Sequence, residues 1–350
     1  MHVLGLETSC DETAASVVRD GVGVLSNTIA SQHELHMEYG GVVPEIASRA
    51  HVERILPIVE RALDDAGLTL SDIDAVAVGH RPGLIGALLV GVAAAKALSW
   101  SLGVPLIGVD HVQAHLYAGL LDDAVAVERA FPALGLVVSG GHTALYDVRS
   151  PLELRRLGST IDDAVGEAYD KVAAMLGLEH PGGPKVDRLA GSGNERAHDF
   201  PISRLDRDSL DFSFSGVKTA VLYTVRGQPM PGQRGMFERD HRDLDDAQIA
   251  DVAASFQRVA CAAVRMKVER ALDRVGPVQS LLVGGGVSAN SRLREVLLDV
   301  GRSRDIEVRL PAMEHCVDNA AMIAGLAWHR LQAGLVDDLT LAASPRSEIG

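Results

Sequence analysis

At 350 residues, 47% hydrophobic and 23% charged, the chain excludes disordered, collagen-like and low-complexity classes and is long enough for two domains. With 33 Lys plus Arg against 47 Asp plus Glu, the formal charge is −14, which argues against a dedicated non-specific nucleic-acid binder but permits a local basic patch or a basic partner. The three cysteines, Cys10, Cys261 and Cys316, lie far apart and form no CxxC, so neither a disulfide framework nor a thiolate zinc site is expected.

The opening MHVLGLETSC has no basic region and no long apolar run, so no signal peptide is expected. Val3, Leu4 and Leu6 read as a strand, 7–13 as a polar turn and 14–18 as a second strand. Ile46, Ala50, Ile55, Val59 and Leu63 recur at helical spacing and predict a helix over 44–66. A short strand at 75–78 is broken by Arg81-Pro82-Gly83, and 84–102 reads as a Gly/Ala-rich helix. Its apolar stretch, 84–95, is too short for a membrane span, so no membrane contact and a cytoplasmic location are expected. A strand at 106–109 precedes the helix carrying His111 and His115, and this alternation predicts an α/β sheet. After a loop at 122–131, strands at 134–138 and 143–148 flank Ser139-Gly140-Gly141-His142 and mirror the opening of the chain, which hints at a duplicated architecture. Helices are expected over 162–176, 247–275, from about 290, and over 318–331, with a strand at 281–283. Segment 226–246 reads as an exposed insertion and 343–350 as a frayed tail.

Several residues carry possible chemistry. His111 and His115 sit at i, i+4, so a helix puts both on one face, able to grip one metal ion. On spacing alone they are ordinary histidines. Their position directly after a strand, where α/β sites form, shifts the reading, and Asp318 can add an oxygen ligand. Mixed nitrogen and oxygen ligation suits Fe(II), Mn or Zn. Val112 stands where HExxH would need its glutamate, so zinc-protease chemistry is not expected. Ser139-Gly140-Gly141 and Gly284-Gly285-Gly286 are turns whose backbone N–H groups can approach an anion, each a weak signal alone. No GxGxxG is complete, because Ala289 occupies the third position, and no P-loop occurs. Asp11 and Glu12 lie at the first hairpin tip, where solvated turn carboxylates are the commonest fate. Asp163, Glu167 and Asp170 share one face of the expected helix, so a cation, a ribose, Lys171 or Arg155 must offset their repulsion. Asp187 is a further ribose-binding candidate, and the serines around 213–215 read as strand and helix cap.

Taken together, the stretches GLETSCDETAASVV, GGVVPEIASRAHVERI, PGLIGALLVGVAAAKALS, GVDHVQAHLYAG, LVVSGGHTALY, STIDDAVGEAYDKVAAMLGL, PGGPKVD, DFSFSGVKTAV, LLVGGGVSAN and CVDNAAMIAG resemble the tRNA N6-adenosine threonylcarbamoyltransferase family, in order over about 3–325. The resemblance implies an α/β, two-lobed actin/sugar-kinase/heat-shock-type fold with a nucleotide cleft between the lobes. Residues 1–110 would form the first lobe, with 326–350 packing back on it, and 111–325 the second. It implies transfer of threonylcarbamoyl from threonylcarbamoyl-AMP to N6 of the adenosine next to the anticodon, in tRNAs reading codons that begin with adenine. His111, His115 and Asp318 match the family's metal ligands, for one divalent ion, Fe(II) ahead of Zn or Mn. Val137, Val138, Ser139, Gly140, Gly141, Asp170, Gly183, Asp187 and Asn290 match its adenylate contacts, and Asp11 and Glu12 its acidic residues important for activity.

The family commonly has Gly-Pro-Gly-Leu where this chain has Arg81-Pro82-Gly83-Leu84, so Arg81 either reshapes the loop or helps hold tRNA phosphate. The resemblance also implies an inactive paralogue as heterodimer partner, through helices 44–66 and 84–102, and a small P-loop ATPase. Two other classes fit the same fold: a small-molecule kinase, which would not need the His pair, and a non-catalytic scaffold, which would be expected to lose it.

Overall fold

The computed structural model describes residues 1–349 apart from 40, 204, 207 and 231–236. Its frame is two mixed five-stranded sheets. In the first, β1 (His2–Glu7), β2 (Glu12–Arg19) and β3 (Gly23–Ser31) form an antiparallel meander, and β4 (Ala75–Arg81) and β5 (Leu106–Asp110) extend it in parallel on the other side of β1. In the second, β6 (Ala133–Val138), β7 (Thr143–Ser150) and β8 (Glu153–Ser159) form the meander, and β9 (Ser280–Gly284) and β10 (Glu307–Arg309) extend it. The orders β3-β2-β1-β4-β5 and β8-β7-β6-β9-β10 correspond strand for strand, so the duplication hinted at by the two hairpins is present in the topology.

The helices in chain order are α1 (His33–His36), α2 (Pro44–Ala66), α3 (Ile85–Leu102), α4 (His111–Tyr117), α5 (Ala124–Arg129), α6 (Val165–Met175), α7 (Gly182–Ala190), α8 (Ser215–Arg226), α9 (Asp246–Val275), α10 (Ser291–Arg304) and α11 (Ala320–Gln332). They fill three apolar layers. Leu4, Leu6, Val76 and Val78 pack on α2 and α3 through Ile55, Val59, Val92 and Ala95. The other face of the same sheet meets α4, α11 and the second sheet, where Val3, Ile107 and Val109 join Leu116, Ala324, Val137 and Tyr146. The outer face of the second sheet is covered by α6, α8, α9 and α10. Both faces of the central strands are therefore buried, which is why they read as continuous apolar runs. Gly5 lets α11 lie directly on β1, because a Cβ there would come closer than 3.0 Å to the Ala320 carbonyl.

Several expectations shift. β3, β8 and β10 carry polar or charged residues on half-exposed faces and give no clean alternation. The loop expected at 122–131 contains α5. The helix expected over 162–176 begins at Val165, and the one expected over 318–331 begins at Ala320 with Asn319 as its cap, leaving Asp318 in the preceding turn. Helix α3 is apolar and long enough to suit a membrane span by composition, but it packs on β4 and α2. Over 343–349 the tail is not frayed, and 350 lies outside the described residues. Ser344 N–H donates to the His80 carbonyl, Ser347 Oγ donates to Asp110, Glu348 pairs with Arg81, and Ile349 packs on the middle layer. These tertiary contacts hold polar residues that local pattern alone assigns to solvent. Within 226–246, residues 231–236 lie outside the described residues, and 241–243 form a short 3-10 turn.

Candidate active site at the ends of the two sheets

The strand–helix junction after β5 sets the first constellation. Asp110 caps α4 by accepting hydrogen bonds from Val112 N and Gln113 N, which starts the helix at His111 and puts His115 one turn on. The two imidazoles meet edge to face at 4.5 Å. Asp318, delivered by the turn before α11, places Oδ1 3.4 Å from His111 Nε2 and 3.1 Å from His115 Nε2. The three donor atoms lie within 4.8 Å of one another. His115 is fully buried, yet neither ring nitrogen makes a hydrogen bond of good geometry. An orphaned buried imidazole costs about 1–3 kcal/mol, so two nitrogens and one carboxylate converging in this way fit a divalent cation.

The electrostatics agree. Burial works against charge on His111, but Glu7 and Asp318 overcome it and hold its pKa well above the usual range. Burial likewise opposes ionisation of Asp318, and the His111 and His115 imidazoles outweigh it, keeping that carboxyl well below its usual range. Burial and the His111 charge push His115 down. Without an ion, a proton on His111 does the work of a cation between two carboxylates.

Asp11 and Glu12 are not solvated turn residues, since they are only 8% and 9% exposed. Burial, then Asp318, then Asp11 push the Glu12 carboxyl up to about 10. Asp11 goes the other way: burial raises it, but hydrogen bonds from His33, Cys10 and Glu12 win and lower it. His33 Nδ1 lies 3.4 Å from Asp11 Oδ2, and its ring meets that of His180 edge-on at 5.7 Å. Two neighbouring carboxyls with pKa values driven apart are the pattern of an acid and a base.

The second sheet contributes a backbone-lined surface. Val137 and Val138 are core side chains, so only the turn that follows them is free to present itself. Ser139 closes that turn, donating its N–H to the His142 carbonyl at 2.7 Å and accepting from His142 N at 3.0 Å. At Gly140, Gly141, Gly183 and Gly286 a Cβ would meet no atom within 4 Å, and none of the four has positive φ. Neither packing nor backbone conformation explains glycine there; open space above bare backbone does. Gly284 and Gly285 are different, for a Cβ would collide with the His115 carbonyl at one and the Val138 carbonyl at the other. They bring the Ser139 turn and the metal-ligand helix against the same strand end. His142 lies in this region too, lowered to about 4 by burial and by His111 and His115.

The remaining candidates fall into two pairs. Asp170 Oδ1 accepts from Gly182 N at 2.8 Å and Gly183 N at 3.2 Å. Asp187 accepts from Ser291 N, Ser291 Oγ and Gln257 Nε2, and the same Gln257 accepts from Asn290 Nδ2 at 2.8 Å. The expected repulsion along one face of α6 does not arise. Asp163 precedes the helix, Lys171 pairs with both Asp163 and Glu167, and Asp170 turns to the glycine N–H groups. Arg81 points to Asp110 and Glu348, so its charge is matched within the chain rather than offered to phosphate. Sequence reasoning missed Glu7, His33, His142, His180 and Gln257. Glu7 alone had a signal, a carboxylate ending an otherwise apolar strand.

A family model described as tRNA N6-adenosine threonylcarbamoyltransferase matches residues 23–325. The protein of that name from Trichlorobacter lovleyi is 50% identical over 345 residues, 98% of this chain and 96% of its own. Among solved structures, HypF of T. kodakarensis aligns with TM-score 0.59 at 14% identity over 95% of this chain and 48% of that one. Component A of (R)-2-hydroxyglutaryl-CoA dehydratase from Acidaminococcus fermentans aligns with TM-score 0.52 at 14% identity over 95% of this chain and 99% of that one. At such identities the likeness speaks for the fold, which is the two-lobed actin/sugar-kinase/heat-shock type. By the family match and by half-identity along nearly its whole length, the chain belongs to the tRNA N6-adenosine threonylcarbamoyltransferase family.

Proposed function

We propose that the chain transfers threonylcarbamoyl from threonylcarbamoyl-AMP to N6 of the adenosine next to the anticodon, in tRNAs reading codons that begin with adenine. The observation that carries the mechanism is the convergence of His111, His115 and Asp318 beside Asp11 and Glu12, at strand ends shared with the Ser139-Gly140-Gly141 turn.

The exocyclic amine is a weak nucleophile and AMP a good leaving group, so the protein must chiefly position and stabilise charge. His111, His115 and Asp318 hold one divalent ion, Fe(II) ahead of Zn or Mn. When bound, it supplies positive charge for the phosphate or carbonyl oxygens of the donor. The backbone of Gly140 and Gly141 receives the anionic part of the adenylate, and Gly183 leaves room for it. Asp170, Asp187 and Asn290 shape the ribose and adenine side. Asp11, held ionised, accepts the proton that the amine loses, and Glu12, held protonated, donates a hydrogen bond to Asp11 that orients it toward the amine. Bond changes are one N–C bond formed, one C–O bond to AMP broken, and one proton passed to Asp11.

The enzyme works in the cytoplasm with an inactive paralogue and a small P-loop ATPase. The expected contact surface narrows to one face of each helix. Ala87, Gly91 and Ala95 face the chain's own sheet, whereas Val52, Leu56, Ile85, Leu89 and Trp100 leave an apolar stripe on α2 and α3, with Trp100 75% exposed. That stripe supports docking of the paralogue, and with a net charge of −14 the chain gains from an assembly that recruits tRNA. The test is to incubate the chain, alone and with the paralogue and the ATPase, with tRNA and threonylcarbamoyl-AMP and to analyse the nucleosides by mass. Threonylcarbamoyladenosine is expected; unmodified adenosine under both conditions would overturn the reading.

A further inference from the structure

We propose that Glu7 is the positioning residue of the metal triad, fixing the tautomer and orientation of His111 and supplying the second negative charge that a divalent ion there requires. The proposal rests on the metal reading given above. Glu7 ends β1, is fully buried, and sends Oε2 to within 3.0 Å of His111 Nδ1. Its other oxygen accepts from Ser9 N. Ser9 Oγ lies 3.3 Å from the same Nδ1 and can take either role, but a carboxylate only accepts, so Glu7 draws the proton to Nδ1.

The consequence is chemical. When a metal takes the place of the second proton, His111, with its remaining proton on Nδ1 and donated to Glu7, offers the Nε2 lone pair, and Nε2 is the atom 3.4 Å from Asp318 Oδ1. The opposite tautomer would put a proton between that ring and the carboxylate and close the position to a metal. Charge also balances: a divalent ion meets two neutral imidazoles and the carboxylates of Asp318 and Glu7. The placement is built into the sheet. Glu7 pairs with Ala14 on one side, Leu6 with Val78 on the other, and Thr8 Oγ1 donates to the Ala87 carbonyl of α3. Gly79 makes the room, because a Cβ there would come closer than 3.0 Å to Glu7 Oε2.

Glu7→Gln tests the idea, since an amide has one acceptor and cannot satisfy both the Ser9 and His111 donors. Metal affinity of the full chain is measured with Co(II) alone, by chelator competition and by the visible Co(II) spectrum. A loss of about 10–100-fold is expected, the size usual for outer-shell partners of a ligating histidine. Gly79→Ala, which leaves the carboxylate intact but displaces it, should weaken Co(II) binding in the same direction. Independently of any variant folding, 15N-histidine spectra of the Zn(II)-loaded wild type should show His111 protonated at Nδ1. An Nε2-protonated His111, or folded Glu7→Gln and Gly79→Ala chains that bind Co(II) as tightly as wild type, would overturn the proposal while leaving the triad standing. Wild type that binds Co(II) no better than His115→Ala would overturn the metal reading and this inference together.

Discussion

Replacing Glu12 by glutamine should raise stability in a pH-dependent way. Burial, reinforced by Asp318 and Asp11, sets the folded pKa at about 10 against an ordinary value of 4.5. Between those values the folded chain holds a proton that the unfolded chain has released. Stability from this group is therefore complete below 4.5 and is lost as pH rises toward 10. At pH 7 the loss depends on the unfolded value alone and comes to about 3 kcal/mol, at about 1.4 kcal/mol per pH unit. Glutamine imitates the protonated carboxyl and removes that loss. With the unfolding entropy expected for a chain of this size, Tm of the metal-free variant should exceed wild type by roughly 4 °C at pH 7 and by little near pH 4.5. Transfer activity should stay within about tenfold of wild type, because the amide N–H₂ donates where the protonated carboxyl did, whereas Glu12→Ala, which has no donor, should lose about 10²-fold. The assay is a pair of thermal melts at pH 5, 6, 7 and 8 on chelator-treated protein, with nucleoside analysis of the loaded enzyme. A Tm difference that does not grow with pH would refute the protonated state assigned to Glu12, and undiminished transfer by Glu12→Ala would refute its role.

His111→Ala and His115→Ala should each lose bound metal and transfer activity while circular dichroism stays native; full metal content in both would remove the triad assignment. Gly284→Ala forces a Cβ against the His115 carbonyl and should cost about 1–3 kcal/mol and weaken metal binding, read by melts and metal analysis. Leu89→Arg, at a position 54% exposed, should change stability by less than about 0.5 kcal/mol yet abolish association with the paralogue, measured by light scattering.

Much of the fold was legible because the central strands are apolar on both faces and α2 spans the residues its periodicity marked out. The His111–His115 face was legible because helical spacing fixes it. What stayed hidden depends on tertiary neighbours. Asp11 and Glu12 read as turn carboxylates because sequence does not reveal that the tip of a hairpin is buried beside His33 and Asp318. The tail reads as frayed because its partners, His80, Arg81 and Asp110, lie more than two hundred residues away. Arg81 invited a phosphate, but Asp110 and Glu348 already match it. Glu7 stays hidden in the sequence because an acidic residue beside a turn looks ordinary until His111 is placed next to it.

The most direct measurement of the central claim is a single-turnover reaction with purified partners, tRNA and threonylcarbamoyl-AMP, comparing wild type with Asp318→Asn by nucleoside mass. Asp318 is the residue that joins the two histidines, and its charge also bears on Glu12. Threonylcarbamoyladenosine should form with wild type and fall at least about 100-fold with the variant, as for loss of one main stabilising charge. Equal product from both chains, or none from wild type, would contradict the account.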